Sequence, residues 1–237
     1  MVNVICIKWG SLYGPEFVNK LYAMVKRNLS LEFRFVCMTD NAGGIDDAIE
    51  TLPIPEIGMP EGKPESGWKK LTVLSPEISD LSGKTLFLDL DVVIVDAIDE
   101  LFAYADSFTI IENWTQKGRG IGNSSVFCYD IGRHADVLDY YKAHKDEVLA
   151  QYGNEQIYLS KKVGAIKYWP QQWCRSFKFH AIPRGILRYF LPPTIPSCCK
   201  ILVFHGHPNP DQALVGNYGG RLLKYFKPAA WIEKYWV

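Results

Sequence analysis

The 237-residue chain carries 26 Lys and Arg against 26 Asp and Glu, so its formal net charge is zero. Binding nucleic acid broadly needs a basic footprint, so that class is excluded, while a local basic patch stays allowed. Apolar residues at 48% and aromatics at 14% supply a substantial core, enough for one large α/β domain or two small ones.

The six cysteines are Cys6, Cys37, Cys128, Cys174, Cys198 and Cys199. None form a CxxC pair, and three lie in apolar strand-like runs. They read as free thiols of a reducing compartment, not as a disulfide frame or a zinc site. Lys8 and Trp9 interrupt the opening apolar run, so no secretory leader is read there. No apolar stretch is long enough to span a bilayer. The expected location is the cytoplasm, with association at the cytoplasmic membrane face as a further expectation.

Val2 to Lys8 reads as the first strand, followed by a Gly-bounded loop through Gly14. Pro15 opens a helix whose apolar stripe is Phe17, Leu21 and Val25. Phe33 to Thr39 reads as a second strand ending at Asp40. Strand, helix, strand implies a parallel βαβ unit with a right-handed crossover. Ligands of such sheets bind outside the carboxyl ends of the strands. That rule predicts one rim holding the Tyr13 loop, Asp40 and the acidic run below.

Residues 53–67, rich in Pro, Gly and Glu, read as an exposed loop. A short helix over Trp68 to Leu74 follows. Thr85 to Asp96, TLFLDLDVVIVD, reads as one strand buried on both faces. In an extended chain residues i and i+2 share a face, so Asp89 and Asp91 are expected to converge on one point. Unpaired carboxylates are costly to bury, and a hard divalent ion suits such oxygen ligands. Asp99 is expected to cap a short helix. Strands follow at Phe108–Ile111 and Ser125–Tyr129, around a Gly-rich stretch, 117–123, that lacks dinucleotide-fingerprint spacing. Helices are expected at about 134–150 and 155–162, then an irregular aromatic region at 165–200. A late strand at Ile201–Phe204 runs into His205-Gly206-His207-Pro208, and a helical tail is expected over 221–237.

His205 ends an apolar strand and is expected to reach the same rim. Two carboxylates plus one imidazole make a ligand set for Mn²⁺ or Mg²⁺. His207 points the other way in an extended backbone. Tyr13 either stacks on a nucleobase or packs into the core. Lys69 and Lys70 either meet phosphate or lie on a solvated helix face. Asn123, Ser124 and Ser125 bind sugar hydroxyls or cap a turn. Glu155 and Gln156 open a helix behind Asn154, either as ordinary first-turn chemistry or as a carboxylate and an amide aimed into a cleft. The tail, with Trp231, Tyr235, Trp236, Lys224, Lys227 and Lys234, either packs on the domain or docks at an anionic membrane surface.

The order of these pieces resembles the glycogenin-like retaining glycosyltransferases (galactinol synthase and lipopolysaccharide galactosyltransferase type) of GT-A fold. Lys70-Leu71 precedes LFLDLDVVIVDAIDELF as the family's Lys-Leu helix precedes its FxDxDxxxxxxIDDLF strand. Asn123-Ser124-Ser125-Val126-Phe127 is similar to the family's NSGVF segment, with Ser125 where Gly is usual. Asn154-Glu155-Gln156 is similar to its Asp-Gln helix start, with Glu155 for Asp. HGHPNP is similar to its terminal HGxPKP turn, with Asn209 where Lys is usual.

The resemblance implies a single α/β domain over 1–237 with a mainly parallel central sheet. It divides into a nucleotide-binding half at about 1–130, a sugar and acceptor half at about 131–220, and the tail. It implies a hexosyltransferase using a nucleotide-sugar donor, usually UDP-linked, and Mn²⁺ held by Asp89, Asp91 and His205. Tyr13, Asp40, Lys70, Asp89, Asn123, Ser124 and Gly206 would contact the donor. Glu155 and Gln156 would act at the transferred sugar. The acceptor would be a saccharide, glycolipid or protein. A haloacid-dehalogenase-type phosphatase also ends a hydrophobic strand in DxD, but there the motif usually lies near the N-terminus, followed by Thr, where Val92-Val93 stand here. A non-catalytic nucleotide-sugar-binding protein of the same fold is the other alternative.

Overall fold

A computed structural model describes residues 1–59, 67–216 and 225–237. In chain order the strands are β1 (Val2–Lys8), β2 (Phe33–Thr39), β3 (Glu50–Pro53), β4 (Lys84–Leu88), β5 (Val92–Ile94), β6 (Thr109–Glu112), β7 (Gly122–Asp130), β8 (Lys167–Tyr168), β9 (Cys174–Ser176) and β10 (Ile201–Val203). The α-helices are α1 (Pro15–Asn28), α2 (Asp99–Tyr104), α3 (Ala135–Ala143), α4 (Lys145–Gln151), α5 (Glu155–Lys162), α6 (Pro210–Val215) and α7 (Trp231–Tyr235). The chain forms two compact units that interleave in sequence. Unit one is Met1–Asn19, Leu31–Leu90 and Leu101–Trp169; unit two is Lys20–Ser30, Asp91–Glu100 and Pro170–Val237. β8, late in the chain, joins the sheet of unit one, and β5, earlier in the chain, joins that of unit two.

Unit one is built on a seven-stranded sheet in the order β3-β2-β1-β4-β7-β6-β8. The pairs β1–β2, β1–β4, β2–β3 and β6–β8 are parallel, and only β7 runs against its neighbours. The sequence explains this. β1 (VNVICIK) and β2 (FRFVCMT) are apolar on both faces, as a sheet covered on both sides requires. Phe87 and Phe127 stack across the β4–β7 pair with centroids 4.7 Å apart. The 3₁₀ helix Gly67–Leu74 inserts Trp68 against Tyr141 of α3, stacked at 5.3 Å. Tyr129 donates its hydroxyl to the Val73 carbonyl at 2.7 Å, tying that helix to β7.

The expected continuous strand Thr85–Asp96 is broken. β4 ends at Leu88, Leu90 and Asp91 form a turn, and β5 starts at Val92. The break is long-range in origin: the Asp89 N–H donates to the Ser125 carbonyl at 2.9 Å, and β5 pairs antiparallel with β10 in a different sheet. The shared strand face expected for Asp89 and Asp91 is therefore replaced by a turn. The single helix expected over 134–150 is likewise two, α3 and α4, meeting at His144.

Unit two is built on a three-stranded sheet in the order β5-β10-β9. Phe177 stacks on Phe204 at 4.5 Å and meets Phe226 edge-on at 5.6 Å. Asp99 Oδ1 accepts from both the N–H and the hydroxyl of Ser30, at 3.0 and 2.6 Å. In the tail, helix α7 covers only Trp231–Tyr235, and the start of the expected helix lies outside the described residues. Trp236 is buried with the Lys20 ammonium 3.8 Å above its ring, and Arg27 donates to the Tyr235 and Val237 carbonyls. These aromatics are packing residues of unit two. No helix among the described residues is long and apolar enough to cross a membrane.

Candidate active site

Three elements of unit one converge on Asp89. The end of β4 presents its carboxylate, the 3₁₀ helix presents Lys70, and β7 presents Asn123 and Ser124. Lys70 Nζ donates to Asp89 Oδ2 at 2.7 Å and to Ser124 Oγ at 3.4 Å, and stands 4.0 Å from Glu155 Oε1. The Ser124 hydroxyl in turn donates to Glu155 Oε1 at 3.0 Å. The Lys70, Asp89 and Glu155 side chains are only 14%, 18% and 9% exposed. Charges so sheltered interact more strongly than on an open surface, so one ammonium among two carboxylates holds the cluster together.

Gln156 is fixed just as firmly. Asn154 caps α5 by accepting the Ile157 N–H at 3.0 Å, which orients the first turn. Gln156 Oε1 then accepts from Asn123 Nδ2 at 3.0 Å and from the Ser124 N–H at 3.1 Å. β7 makes room for these contacts by a break in its pairing with β6. Ile110 pairs with Phe127 but Ile111 with Asn123, so the segment between bulges away from β6. Gly67 matters here as well. A Cβ on it would lie 2.7 Å from the Glu155 carboxyl carbon, so only glycine leaves that carboxylate in place.

Asp40 and Tyr13 occupy other places in unit one. Asp40 Oδ2 accepts the Gly10 N–H at 2.9 Å, holding the loop after β1, where Gly10 has φ 61°. It lines a cavity of about 270 Å³ together with Thr39, Ile54, Ile57, Met59 and Lys69. Tyr13 is half-buried with its ring 4.7 Å from that of Phe17.

Asp91, His205 and Gly206 belong to unit two. Asp91 is 8% exposed, and its carbonyl accepts the Phe204 N–H at 3.2 Å. His205 Nε2 meets Ser176 Oγ at 2.7 Å. Burial, with Lys178 and His180 nearby, lowers the imidazole pKa to about 4. His205 is therefore neutral at pH 7, the form that ligates metals. Gly206 has φ 65°, and Lys178 Nζ lies 3.4 Å from where a Cβ on it would stand. Asn209 opens α6, its N–H donating to Gln212 Oε1 at 3.0 Å, and His207 is exposed. Among the described residues no three His, Cys, Asp or Glu side chains are grouped as a metal cage.

The structure thus gathers Lys70, Asp89, Asn123, Ser124, Glu155 and Gln156 into one polar network. Sequence reasoning missed Gly67 and Ser176. The only signal for the first was a glycine at the start of a short helix; the second had none, because Ser176 reaches His205 from another strand.

No family model and no curated protein matches the chain. Solved structures do. The chain is similar to the galactosyltransferase LgtC in complex with donor and acceptor sugar analogs, at TM-score 0.60 and 14% identity over 88% of this chain and 89% of LgtC. An active-site mutant of LgtC gives 0.59 and 15% over the same shares. The glycosyltransferase GlyE of Streptococcus pneumoniae TIGR4 gives 0.56 and 12%, over 89% of this chain and 56% of GlyE. At these identities the likeness is one of fold: the chain has the mixed α/β, mainly parallel GT-A architecture of these glycosyltransferases.

Proposed function

We propose that the chain is a metal-dependent glycosyltransferase that moves a hexose, with retention, from a UDP-sugar to a saccharide, glycolipid or protein acceptor. The observation that carries this reading is the Lys70–Asp89–Ser124–Glu155 and Asn123–Gln156 network, set in a fold shared with the glycosyltransferases LgtC and GlyE. A phosphatase reading has no comparable support.

The proposed metal ligands are Asp89, Asp91 and His205. Two carboxylates sheltered from water and a neutral imidazole are a ligand set that suits Mn²⁺ or Mg²⁺. Bound there, the ion would supply Lewis-acid stabilisation to the leaving diphosphate. Tyr13 and Asp40 would receive the base and ribose, the latter beside a cavity at the strand ends. Asn209, engaged in opening α6, brings no cation to the diphosphate. Lys178, next to Gly206, is the residue of unit two that replaces it in this account.

At the sugar, Glu155 would accept hydroxyl hydrogen bonds while Ser124 and Lys70 hold its carboxylate. Gln156 is anchored through Oε1 by two N–H groups, so the other edge of its amide is the one assigned to the anomeric centre. Acceptor attack from the face the leaving group departs would retain configuration. The wall for the acceptor is assigned to the aromatic stretch 165–190 with Trp114. A cytoplasmic location is part of the proposal, supported by six cysteines that are all free thiols.

The proposal is tested by a thermal-shift panel of UDP-, GDP-, ADP- and CMP-sugars with Mn²⁺. A ligand at a hundred times its Kd adds about 2.7 kcal/mol to native stability. For a chain of this size that raises Tm by roughly 5–10 °C. A rise with UDP-sugars that requires Mn²⁺ supports the reading; no rise with any of the four contradicts it.

A further inference from the structure

The fold satisfies two of its sheltered lysines. Lys200, 8% exposed, reaches Glu100 Oε2 at 2.7 Å and the Ala97 carbonyl at 3.0 Å, and Lys84 donates to the Phe102 and Ala105 carbonyls. Lys8 is left unsatisfied. It is 5% exposed, yet among the described residues its ammonium makes no hydrogen bond and no ion pair. A buried charge without a partner is costly, so its retention calls for a partner that arrives from outside. Lys8 Nζ is not sealed from solvent, so it opens at the end of its strand.

Lys8 is the last residue of β1, at the carboxyl end where ligands of such sheets bind. Its register partner on β2 is Thr39, which lines the cavity of about 270 Å³ together with Asp40. The Gly10 N–H donating to Asp40 Oδ2 ties the loop after Lys8 to the same side. On its other side β1 pairs with β4, Ile5 opposite Phe87, two residues before Asp89. The charge of Asp89 also reaches the face on which Lys8 stands. Burial, then the Cys37 thiol, then the Asp89 carboxylate raise the pKa of the Cys6 thiol, and Cys6 and Lys8 share one face of β1. Lys8 therefore lies between the cavity and the carboxylate, one strand spacing of about 4.8 Å from each of the strands that lead to them.

We infer that Lys8 is a donor-binding residue whose ammonium meets the phosphate next to the ribose. The inference rests on the nucleotide-sugar reading. With base and ribose at the Asp40 cavity and the diphosphate at Asp89, the link between them crosses the end of β1. Lysine meets phosphate as a point charge and donates without accepting, so an anionic oxygen suits it. A ribose hydroxyl or a base carbonyl would leave the charge uncompensated.

The test is isothermal titration of the full chain and of Lys8→Met with UMP, uridine and inorganic phosphate, with chelator present so that no metal contributes. The parent should bind UMP at least roughly tenfold more tightly than uridine, a factor of the order a charge-assisted hydrogen bond supplies. Lys8→Met should erase that gap by weakening UMP alone, and Lys8→Arg, which keeps the charge, should retain most of it. Methionine keeps the aliphatic stem and no partner is lost, so the ligand-free Tm of Lys8→Met should equal or exceed the parent's. Unchanged UMP affinity in Lys8→Met overturns the inference. Equal weakening of uridine and UMP overturns it by assigning Lys8 to the base or ribose, and a lower ligand-free Tm overturns it by assigning Lys8 to the fold. Inorganic phosphate binding as tightly as UMP does so too, since the site would then serve a free anion. The two readings fail separately. Mn²⁺-dependent binding of a UDP-sugar beside an unaffected Lys8→Met ends only the inference, whereas a parent that binds no nucleotide with or without Mn²⁺ ends the donor reading itself.

Discussion

Asp91→Asn should lower Mn²⁺-dependent turnover of a UDP-sugar by at least about a hundredfold, because a catalytic metal is worth several kcal/mol of charge stabilisation. The substitution keeps the side chain's size and its capacity to hydrogen-bond, and removes one negative charge from a residue that is 8% exposed. A weakened ligand set is distinguishable from a damaged fold. Titrating Mn²⁺ should move the half-saturating concentration upward in the variant, with Tm in the absence of metal close to that of the parent. Turnover and metal requirement equal to the parent's would remove Asp91 from the proposed ligand set. An unchanged metal requirement with a collapsed Tm would assign it to folding.

Lys70→Met should destabilise the chain by about 2–4 kcal/mol, since removing one partner of a sheltered ion pair leaves the other charge uncompensated. That corresponds to a fall in Tm of roughly 5–15 °C for a chain of this length. The reason is local: the ammonium lies 2.7 Å from Asp89 and 4.0 Å from Glu155, two carboxylates that lose their shared counter-charge together. The same geometry gives a second readout. If a divalent cation binds at Asp89, it supplies the missing charge, so Mn²⁺ should raise the Tm of Lys70→Met more than that of the parent. A variant as stable as the parent would show that the pair contributes no more than an ordinary surface ion pair.

Much of this arrangement was legible in the sequence. Helix α5 was readable to its ends, because Asn154 is a strong cap and Glu155 a favourable first-turn carboxylate. β1, β2 and their crossover helix followed from two β-branched apolar runs separated by an apolar stripe of helical period. The pieces that escaped are those set by distant partners. TLFLDLDVVIVD carries no breaker between its strands, and the turn at Asp89–Asp91 exists because Ser125 captures the Asp89 N–H and β10 captures β5. β3 is four residues long and half-exposed, and β9 three residues long, too short for either to show a period.

The site shows the same division. Asn123, Ser124, Glu155 and Gln156 stood out by residue type and spacing, but not that Gln156 would be locked by the Asn123 amide and the Ser124 N–H. By residue type Lys70 reads more readily as a lysine on a solvated helix face. Its ammonium instead serves Asp89, just past β4, and Ser124 of β7, 19 and 54 residues away in sequence. Nor does a linear pattern reveal that Arg188 and Tyr189 turn inward while Ile186 and Phe190 face water.

The central claim, metal-assisted transfer from a UDP-sugar, is tested most directly by the slow transfer to water that needs no acceptor. The purified chain is incubated with UDP-glucose or UDP-galactose, with Mn²⁺ or with a chelator, and release of UDP is measured beside Asp91→Asn. The account predicts UDP release that requires the metal and is lost in the variant. Release that is equal with chelator and with Mn²⁺, or no release from either donor while a non-nucleotide phosphate ester is hydrolysed, would contradict it.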